Sequence, residues 1–560
     1  MRTVCAAWCA AGAFSTAAWA QGVWETRAPY PIEATEVSAA AIEGKVYALC
    51  GLTRGGSTNA LYVYDPFTDT WRAGASIPIA GGADHCNLAA AGGKLYLVGG
   101  LGALSDGNTY EYDPAADRWQ QVGRMPTPRG ASGVAAIGAK IYVAGGLAAS
   151  GSVATLEAFD TVARRWERLP DMPTARDHLT AQAAGGKFYA LAGRIGAVLA
   201  ANEEYDPADN TWRRRAPILT PRGGLGSGVL GGRIQVFGGE GPSGTPQSTY
   251  RQNEEYDPVR DTWRSLAPMP TPRHGLYGAT VTGPGTPGVI FTPSGGPIAG
   301  ATYSGVHEAF YLPPEQPPVV EPAGVVNAAS LGRGVGPGTI VSLFGSRLAP
   351  LPQGAARLPL PAQMNTVVVR VNGVPSPLYY VGPGQVNFHL PFALPAGPIT
   401  LTVTHAGVES VPLTVNPSGA SWPGIFTLTQ DGQGQGAILI GNTNLVAGEF
   451  AGVPSRPARR DDIIEIYCTG LGRIDGPAPA PGEPAPVSPL ARTVETPVVT
   501  VGGADAEVLF SGLAPGLVGL YQVNVRVPSG ATAGPAVPVV LRMGAVGLPS
   551  NTVTIGIAQN

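Results

Sequence analysis

Six tryptophans recur at nearly constant spacing through the first half of the chain. A period of about 40–50 residues is typical of repeat architectures, in which each unit buries its apolar face against its neighbours. The intervals are 47, 48, 47, 46 and 51 residues, and the positions are Trp24, Trp71, Trp119, Trp166, Trp212 and Trp263. This spacing predicts a fold built from repeated units rather than a single irregular core.

Each unit carries the same order of local signals. An apolar strand ends in glycine, as in KLYLVGG (94–100) and KIYVAGG (140–146), and a turn such as Tyr112-Asp113-Pro114 then precedes the tryptophan. Glycine permits positive φ, Asp-Pro turns the chain, and the aromatic rings fill the space between neighbouring sheets. This order resembles the Kelch repeat. The resemblance implies four-stranded blades of a β-propeller across residues 22–312.

The partial units at the two ends of the repeat region complement each other. The first tryptophan lies in GVWETRAPYPI (22–32), with no inner strands before it. The last unit ends on VHEAFYLP (306–313), with no tryptophan strand after it. We therefore predict a six-bladed propeller, spanning 21–312, in which strand 22–32 pairs beside 306–313 and closes the ring. Closure removes the exposed sheet edges.

The C-terminal part repeats itself once. GTIVSLFGSRL (338–348) parallels DDIIEIYCTGL (461–471), and both read as alternating apolar and polar strands between Pro/Gly turns. We predict a Pro-rich linker at 313–322, followed by two Ig-like β-sandwich domains at 323–416 and 417–560. The predicted fold class is all-β throughout.

The same C-terminal region also resembles a known secreted module. PGQVNFHLP (383–391) and YQVNVRVP (521–528) are among the matching segments. The region is similar to the Solibacter-type C-terminal module found on secreted proteins of Acidobacteria. The resemblance implies display outside the cell and transfers no chemistry.

The first twenty residues have the pattern of a signal peptide. Arg2 is followed by an Ala-rich apolar stretch, and Ala18-Trp19-Ala20 supplies small residues at a cleavage site near Ala20. We therefore expect a secreted, extracellular or periplasmic protein. The net charge of −3 and the absence of a basic cluster argue against nucleic-acid binding. No later run reaches the roughly 18 apolar residues of a membrane span.

Arginines open the inner strand of four blades and are the candidate ligand-binding residues. Equal repeat offsets predict an arc around one mouth of the central channel, where a guanidinium fork suits a carboxylate ligand. The alternative is that each arginine belongs to the repeat and pairs with local carbonyls or carboxylates. Histidines lie two residues along in two units, and glutamates near the Tyr/Phe-Asp turns are expected on the strand surface. The candidates are Arg129, Arg176, Arg222, Arg273, His85 and His178, and the glutamates are Glu111, Glu157, Glu204 and Glu255.

Signal-peptide cleavage would leave three cysteines. Cys50 replaces the first glycine of a Gly-Gly pair, and Cys86 lies at the start of the next inner strand. Antiparallel strands place these positions at the same mouth of the propeller, so we predict a Cys50–Cys86 disulfide in an oxidising compartment. Two unpaired thiols remain the alternative. Cys468 is expected to be a buried strand residue. No CxxC or Cys/His motif indicates a metal site.

The sequence favours a non-catalytic binding protein that recognises an extracellular protein or glycan through the propeller. It contains no nucleophile elbow, HExxH or phosphate loop, and it predicts no cofactor. The alternative is a carbohydrate-modifying enzyme, sialic-acid-mutarotase-like or galactose-oxidase-like, with its site at the channel mouth. A galactose-oxidase-like copper site would require a cysteine fused to a tyrosine, with two histidines nearby.

Overall fold

The computed structural model of the chain is built from β-strands. Its strands, turns and bends confirm the all-β class. Among the residues that the structure describes, no helix is long and apolar enough to cross a membrane. The predicted signal peptide, with Cys5 and Cys9, lies outside the described residues. The structure describes residues 21–241, 248–283, 285–395, 397–417, 421–544 and 547–559.

Backbone contacts divide the chain into two compact units, and the main boundary between them along the sequence lies between Pro313 and Pro314. The described residues of the first unit contain six four-stranded antiparallel sheets. From inner to outer strand, sheets 1 to 3 are Ser38–Ile42, Lys45–Leu49, Leu61–Asp65 and Thr70–Gly74; Leu88–Ala91, Lys94–Val98, Asn108–Asp113 and Arg118–Arg124; and Gly133–Ile137, Lys140–Ala144, Leu156–Asp160 and Arg165–Leu169. Sheets 4 to 6 are Thr180–Ala184, Lys187–Leu191, Asn202–Asp206 and Thr211–Arg214; Gly226–Leu230, Arg233–Phe237, Asn253–Asp257 and Thr262–Ser265; and Ala279–Val281, Val289–Pro293, His307–Tyr311 and Val23–Thr26.

The six sheets form a closed ring around a channel. Each inner strand contacts the inner strand of the next sheet, and Ala279–Val281 of sheet 6 contacts Ser38–Ile42 of sheet 1. Small residues dominate these strands, as in SAAAI and LAAA. Small side chains allow six strands to converge on one axis, while the larger residues pack between sheets.

The N-terminal strand supplies the outer strand of sheet 6. Val23–Thr26 pairs antiparallel with His307–Tyr311, in a register that places Trp24 opposite Phe310. The two partial units at the ends of the repeat region are therefore hydrogen-bonded into one sheet. The first and last strands of the repeat region therefore lie side by side in one sheet, and each supplies backbone hydrogen bonds to the other.

Each repeat tryptophan packs on the aromatic residue of its own sheet and reaches back to the preceding sheet. The ring centroids of the aromatic pairs are 4.9–5.3 Å apart. The indole N–H donates to the preceding sheet or its connection, as from Trp119 to the carbonyl of Ala75 at 2.8 Å. The aromatic pairs are Trp24–Phe310, Trp71–Tyr64, Trp119–Tyr112, Trp166–Phe159, Trp212–Tyr205 and Trp263–Tyr256.

A disulfide joins Cys50 to Cys86, with Cα atoms 6.5 Å apart. Cys50 follows the second strand of sheet 1, and Cys86 precedes the inner strand of sheet 2. Antiparallel pairing brings these two ends to the same side of the ring, as the repeat offsets indicate. Among the described cysteines, Cys468 is free, and it is buried in the second unit.

The second unit begins inside the stretch that the sequence assigned to a linker. Val319–Asn327 is a strand, and its first residue pairs with Ser346. The prolines around it had suggested a stiff linker continuing to residue 322. Hydrogen bonding to the neighbouring strand instead recruits residues 319–322 into a sheet.

The first module of the second unit has two sheets around one core. One sheet has the order Val319–Asn327, Ile340–Ser346, Gln385–His389, Leu378–Val381 and Gln353–Gly354. The other has the order Val374–Pro375, Val367–Val371, Ile399–His405 and Val408–Glu409, with Leu413–Val415 also paired to Ile399–His405.

The second module is one continuous path of strands that is nearly closed on itself. Bridges from Gln435 to Thr554 and from Ala458 to Ile557 bring the two ends of the path together around a shared core. The second module thus forms one continuous sheet, whereas the first module has two separate sheets. Its order is Ser455–Arg456, Val446–Ala447, Ile438–Ile440, Ile463–Thr469, Tyr521–Arg526, Ala504–Leu513, Pro497–Val501, Gly534–Met543 and Val553–Ile557, with Gly424–Ile425 paired to Ile463–Thr469.

Candidate functional site

One end of the ring collects the loops that vary most between repeats. Inner strands begin there, and second strands end there in the Gly-Gly segments. We call this end the mouth face. Short strand pairs occupy several of its loops: Leu52–Thr53 with Gly56–Ser57, Ala83–Asp84 with Leu101–Gly102, Leu147–Ala148 with Arg129–Gly130 and Gly151–Ser152, and Arg194–Ile195 with Ala197–Val198.

The four predicted arginines do not line the channel, and their assignment as ligand-binding residues was wrong. Each is fully buried and forms an ion pair with a buried glutamate. Arg176, for example, donates to Glu203 at 2.5 Å and to the carbonyls of Thr174, Ala190 and Ala192. The guanidinium therefore donates these hydrogen bonds within its own blade. The pairs are Arg129–Glu157, Arg176–Glu203, Arg222–Glu254 and Arg273–Glu308.

The glutamates near the aromatic-Asp turns are also buried, which corrects the prediction of a surface position. Glu157 is the partner of Arg129, at the repeat position of Glu203 and Glu254. Glu111 and Glu204 instead receive lysine side chains from the neighbouring strand, at 2.8 and 3.0 Å. The sequence predicts these glutamates on the strand surface, but cations from adjacent strands and loops compensate the buried carboxylates.

A ring of equivalent residues narrows the channel at the mouth face. All six have positive φ, between 47° and 60°. Backbone hydrogen bonds pass from one to the next, as from Gly224 N to His178 O and from Glu36 N to Gly275 O. Five of the six, all except His85, help to line a void of about 10 Å³, which is close to the minimum for one water molecule. The ring consists of Glu36, His85, Ala131, His178, Gly224 and Gly275.

His85 and His178, predicted as site residues, each form a hydrogen bond with the preceding aspartate. The Nδ1 atom of His85 lies 2.6 Å from Asp84, and that of His178 lies 2.5 Å from Asp177. The two imidazole rings meet edge to face, with centroids 5.0 Å apart. Their shared repeat offset therefore brings two oriented imidazoles together at the mouth.

Three further charged groups complete the site. Arg194 donates to Glu240 at 2.5 Å and lies 2.9 Å from His178 Nε2. The Nδ1 atom of His274 is 3.5 Å from Glu240 and 3.8 Å from Glu36. We call the whole set the mouth cluster: Glu36, Asp84, His85, Asp177, His178, Arg194, Glu240 and His274.

Opposite charges within the mouth cluster stabilise each other against the cost of burial. Burial alone would raise the pKa of Glu36, but the nearby His85 and His274 hold that pKa well below its usual range. Burial lowers the pKa of His85, yet the Glu36 and Asp84 carboxylates raise it overall. Burial also lowers the pKa of His274, but the Glu36 and Glu240 carboxylates raise it overall. The cluster thus favours ionised carboxylates facing imidazoles.

Glu36, Arg194 and Glu240 were missed in the sequence, although the repeat contains a signal for each. Glu36 occupies the offset of His85 and His178, in the first unit. Arg194 and Glu240 directly follow Gly-Gly-type pairs, where three other units have leucine. A search of the repeat for ionisable residues at shared offsets would have found all three.

Beyond this ring, the channel is lined by small and mildly polar residues. Its volume is about 390 Å³. Alanines such as Ala40 and Ala90 alternate with Ser132, Thr180 and Ser227 along the wall. Charged chemistry is therefore concentrated at the mouth, while the channel itself offers hydroxyls and methyl groups.

Comparison with known proteins agrees with this architecture. Residues 85–291 match a family model described as the KLHDC2/KLHL20/DRC7 Kelch-repeats domain, and residues 34–78 match one described as the Kelch motif. Residues 34–78 and 85–291 are therefore similar to Kelch repeats. Among sequence relatives, Kelch-like protein terF of Aspergillus terreus is 29% identical over 290 residues, which cover 48% of this chain and 60% of the relative.

Other Kelch proteins match over shorter parts of their length. Kelch-like protein 36 of Bos taurus is 28% identical, over 41% of this chain and 31% of the relative. Human Kelch-like protein 23 is 26% identical, over 38% of each chain. The chain thus spans about a third to three-fifths of these relatives. A solved structure titled "Structure of YjhT" is 18% identical, with a TM-score of 0.43, over 50% of this chain and 95% of that one.

Proposed function

We propose that this protein is a secreted or surface-displayed, non-catalytic binding protein that recognises an extracellular protein or glycan through the mouth face of its Kelch region. The observation that carries the proposal is the set of exposed side chains around the mouth. Ile298 is 49% exposed, Ile195 is 46% exposed, and Arg54 lies 6.0 Å from the ring centre of Tyr303. Aromatic residues and arginine are enriched where proteins bind one another.

Two observations favour a protein as the ligand. Kelch domains mediate protein interactions. The mouth loops also support one another, because Thr249 donates to the carbonyl of Pro297 at 2.9 Å and Gly300 N lies 3.3 Å from Glu240. A surface that is ordered before binding loses less entropy on association.

Two features support an exported protein. The Cys50–Cys86 disulfide suits an oxidising compartment, since thiols are kept reduced in the cytosol. The signal-peptide pattern of residues 1–20 points the same way. The likeness of the C-terminal region to the Solibacter-type module stays a prediction.

A second candidate is a carbohydrate-modifying enzyme with its site at the channel mouth. The convergence of Glu36, His85 and Arg194 favours it, because acid, base and guanidinium groups lie within one cluster. A galactose-oxidase-like centre has less support, since Cys50 and Cys86 are bonded to each other and Cys468 is buried in the second unit. Proton-exchange activity on carboxylated sugars, followed by NMR, tests the mutarotase-like form.

Binding is tested with the purified exported chain, immobilised and screened against the producing organism's extracellular proteins and a glycan array. Any ligand found is then titrated against an Ile298→Asp variant. A charge at this rim position should weaken binding at least tenfold.

The matched control is Val162→Asp. Val162 is 82% exposed in the turn between Leu156–Asp160 and Arg165–Leu169, at the end of the ring opposite the mouth face. It receives the same chemical change and should leave binding intact. Equal loss in both variants, or in neither, would contradict recognition through the mouth face.

A further inference from the structure

Three side chains of the mouth cluster bring metal-ligand atoms together. One ligand atom each from Glu36, His85 and His178 lies within 4.8 Å of the others. The closest measured approach is 3.5 Å, between Glu36 Oε2 and His85 Nε2. Two ligands bound at about 2.1 Å to one tetrahedral zinc ion are separated by nearly this distance. The ligands lie far apart in sequence, at one shared repeat offset.

Both imidazoles are already oriented for metal binding. Asp84 and Asp177 each accept a hydrogen bond from Nδ1 of the following histidine. That bond places a proton on Nδ1, so in its neutral form each ring would present the Nε2 lone pair as the metal-binding atom. Ser57 donates to the second oxygen of Asp84 at 2.5 Å, and Ser152 donates likewise to Asp177. Carboxylate–histidine pairs of this kind fix ring orientation in metal sites.

The charge balance of the mouth cluster also favours a cation. Four of its members are buried carboxylates, and one is a guanidinium. The carboxylates outnumber the guanidinium by three, so charge balance requires either protonated imidazoles or a bound cation. Buried charges are costly unless they are paired or coordinate a metal. The Nδ1 atom of His274 has no hydrogen-bond partner in the described structure, although it faces Glu36 and Glu240.

We propose that Glu36, His85 and His178 bind a divalent transition metal ion of the zinc type. Two imidazole nitrogens and one carboxylate oxygen are a set that zinc accepts, and three protein ligands leave a fourth position for water or a bound molecule. The site goes beyond the proposed recognition role and does not depend on it, since the mouth rim can bind a partner without a metal.

Arg194 is the group that a metal ion would displace. Its guanidinium lies 2.9 Å from His178 Nε2 and so occupies the lone pair that the ion needs. Its side chain is 36% exposed and also bonded to Glu240, so it can leave His178 without losing every partner. Arg194 therefore competes with the metal through both position and charge.

The test is zinc titration of chelator-treated full chain by calorimetry, with the bound metal also counted after desalting. We expect one ion per chain. Glu36→Gln, His85→Asn and His178→Asn should each weaken binding at least tenfold. These changes remove one ligand atom while keeping a similar shape, and asparagine retains a donor near the Nδ1 position. Arg194→Gln should tighten binding severalfold, which a purely structural role for Arg194 would not produce.

His405→Asn is the matched control, because His405 lies in the second unit and its Nδ1 atom contacts the carbonyl of Arg347. It should bind zinc like the unaltered chain. Near-ultraviolet circular dichroism verifies folding of each variant, and Glu36→Gln serves if a histidine variant unfolds. No zinc binding, binding unchanged in the ligand variants, or weaker binding in Arg194→Gln would overturn the proposal. Intact zinc binding together with equal partner binding by Ile298→Asp and Val162→Asp would refute the recognition role alone.

Discussion

Single residues stabilise the sheets of the ring through buried ion pairs. The guanidinium of Arg222 donates to Glu254 and to the carbonyls of Thr220, Val236 and Gly238. One side chain thereby holds the end of the second strand, the Gly-Gly segment and the third strand together. The hydroxyl of Thr220 satisfies the other carboxylate oxygen at 2.6 Å. An equivalent arginine–glutamate pair stabilises each of four repeats.

Arg222→Met should lower the free energy of unfolding by about 3–5 kcal/mol, because it leaves a buried carboxylate without its cation. Adding Glu254→Leu should recover part of this loss, since no buried charge then remains. Arg168→Met is the control, because the Arg168–Asp171 pair is exposed and should contribute less than about 1 kcal/mol. Urea unfolding measures all three variants. An equal cost for Arg168→Met and Arg222→Met would contradict the assignment.

His307 makes the stability of the first unit depend on pH. Burial lowers its pKa to about 3, with repulsion from Arg27 adding to the effect. In the unfolded chain a histidine titrates near 6.5. Between these values only the unfolded state binds the proton, so the free energy of unfolding falls as the pH drops below about 6.5.

We expect His307 to remove about 2 kcal/mol of stability between pH 7 and pH 5. His307→Asn keeps a donor for the carbonyl of Ala28, which lies 2.9 Å from Nδ1, but does not titrate. Urea unfolding at both pH values should show a smaller pH effect in the variant by that amount. The same pH effect in both proteins would disprove the assignment, whatever the absolute cost of the substitution.

At the scale of elements, the ring depends on its N-terminal strand, which completes the last sheet of the repeat region. Val23–Thr26 is only four residues long, so its backbone bonds alone give little stability. Trp24 anchors it by packing on Phe310 and Phe237 and by donating to the carbonyl of Ala267 at 2.8 Å. The strand covers an edge that would otherwise present unpaired backbone groups.

Trp24→Ala should therefore lower the free energy of unfolding by about 3 kcal/mol, through lost aromatic packing. Thr26→Ala lies on the same strand with an exposed side chain, and its effect should stay within about 0.5 kcal/mol. Hydrogen exchange at His307–Tyr311 provides a second readout and should accelerate only in Trp24→Ala. Protected amides at those positions would show that the strand is not held by its tryptophan.

At the scale of the whole molecule, the two units contain different covalent and optical features. The disulfide and six of the nine tryptophans lie in the described part of the first unit, whereas Trp422 and free Cys468 lie in the second. Tryptophan fluorescence therefore reports mainly on the Kelch ring. Changes in the second unit require a separate probe.

Reduction of Cys50–Cys86, or a Cys50→Ala/Cys86→Ala double variant, should lower the free energy of unfolding of the ring by about 2–4 kcal/mol. The fluorescence midpoint in urea should shift accordingly. Hydrogen exchange across residues 319–417 and 421–544 should not change, because the second unit has no part in the bond. An unchanged fluorescence midpoint would mean that the bond adds nothing to stability.

The sequence alone determined the all-β class and the similarity of the repeat region to Kelch repeats, because repeat spacing and strand patterning are local properties that recur in register. The same register placed His85 beside His178 and Cys50 beside Cys86, since equal offsets map to equal positions around an axis. Offsets do not say which way a side chain points. Arg129 and its equivalents also share a repeat offset, but they do not line the channel. Their guanidiniums are buried and bind groups of their own blades.

Tertiary structure decided how the members of the mouth cluster meet, although shared repeat offsets already mark them in the sequence. Glu36, Arg194 and Glu240 come from different repeats and two different offsets, and they meet only where six loops converge. It also decided that Val319 begins a strand rather than extending a linker, and that the last module nearly closes on itself. In each case the deciding interactions join residues distant in sequence, and only the fold shows which of these residues come into contact.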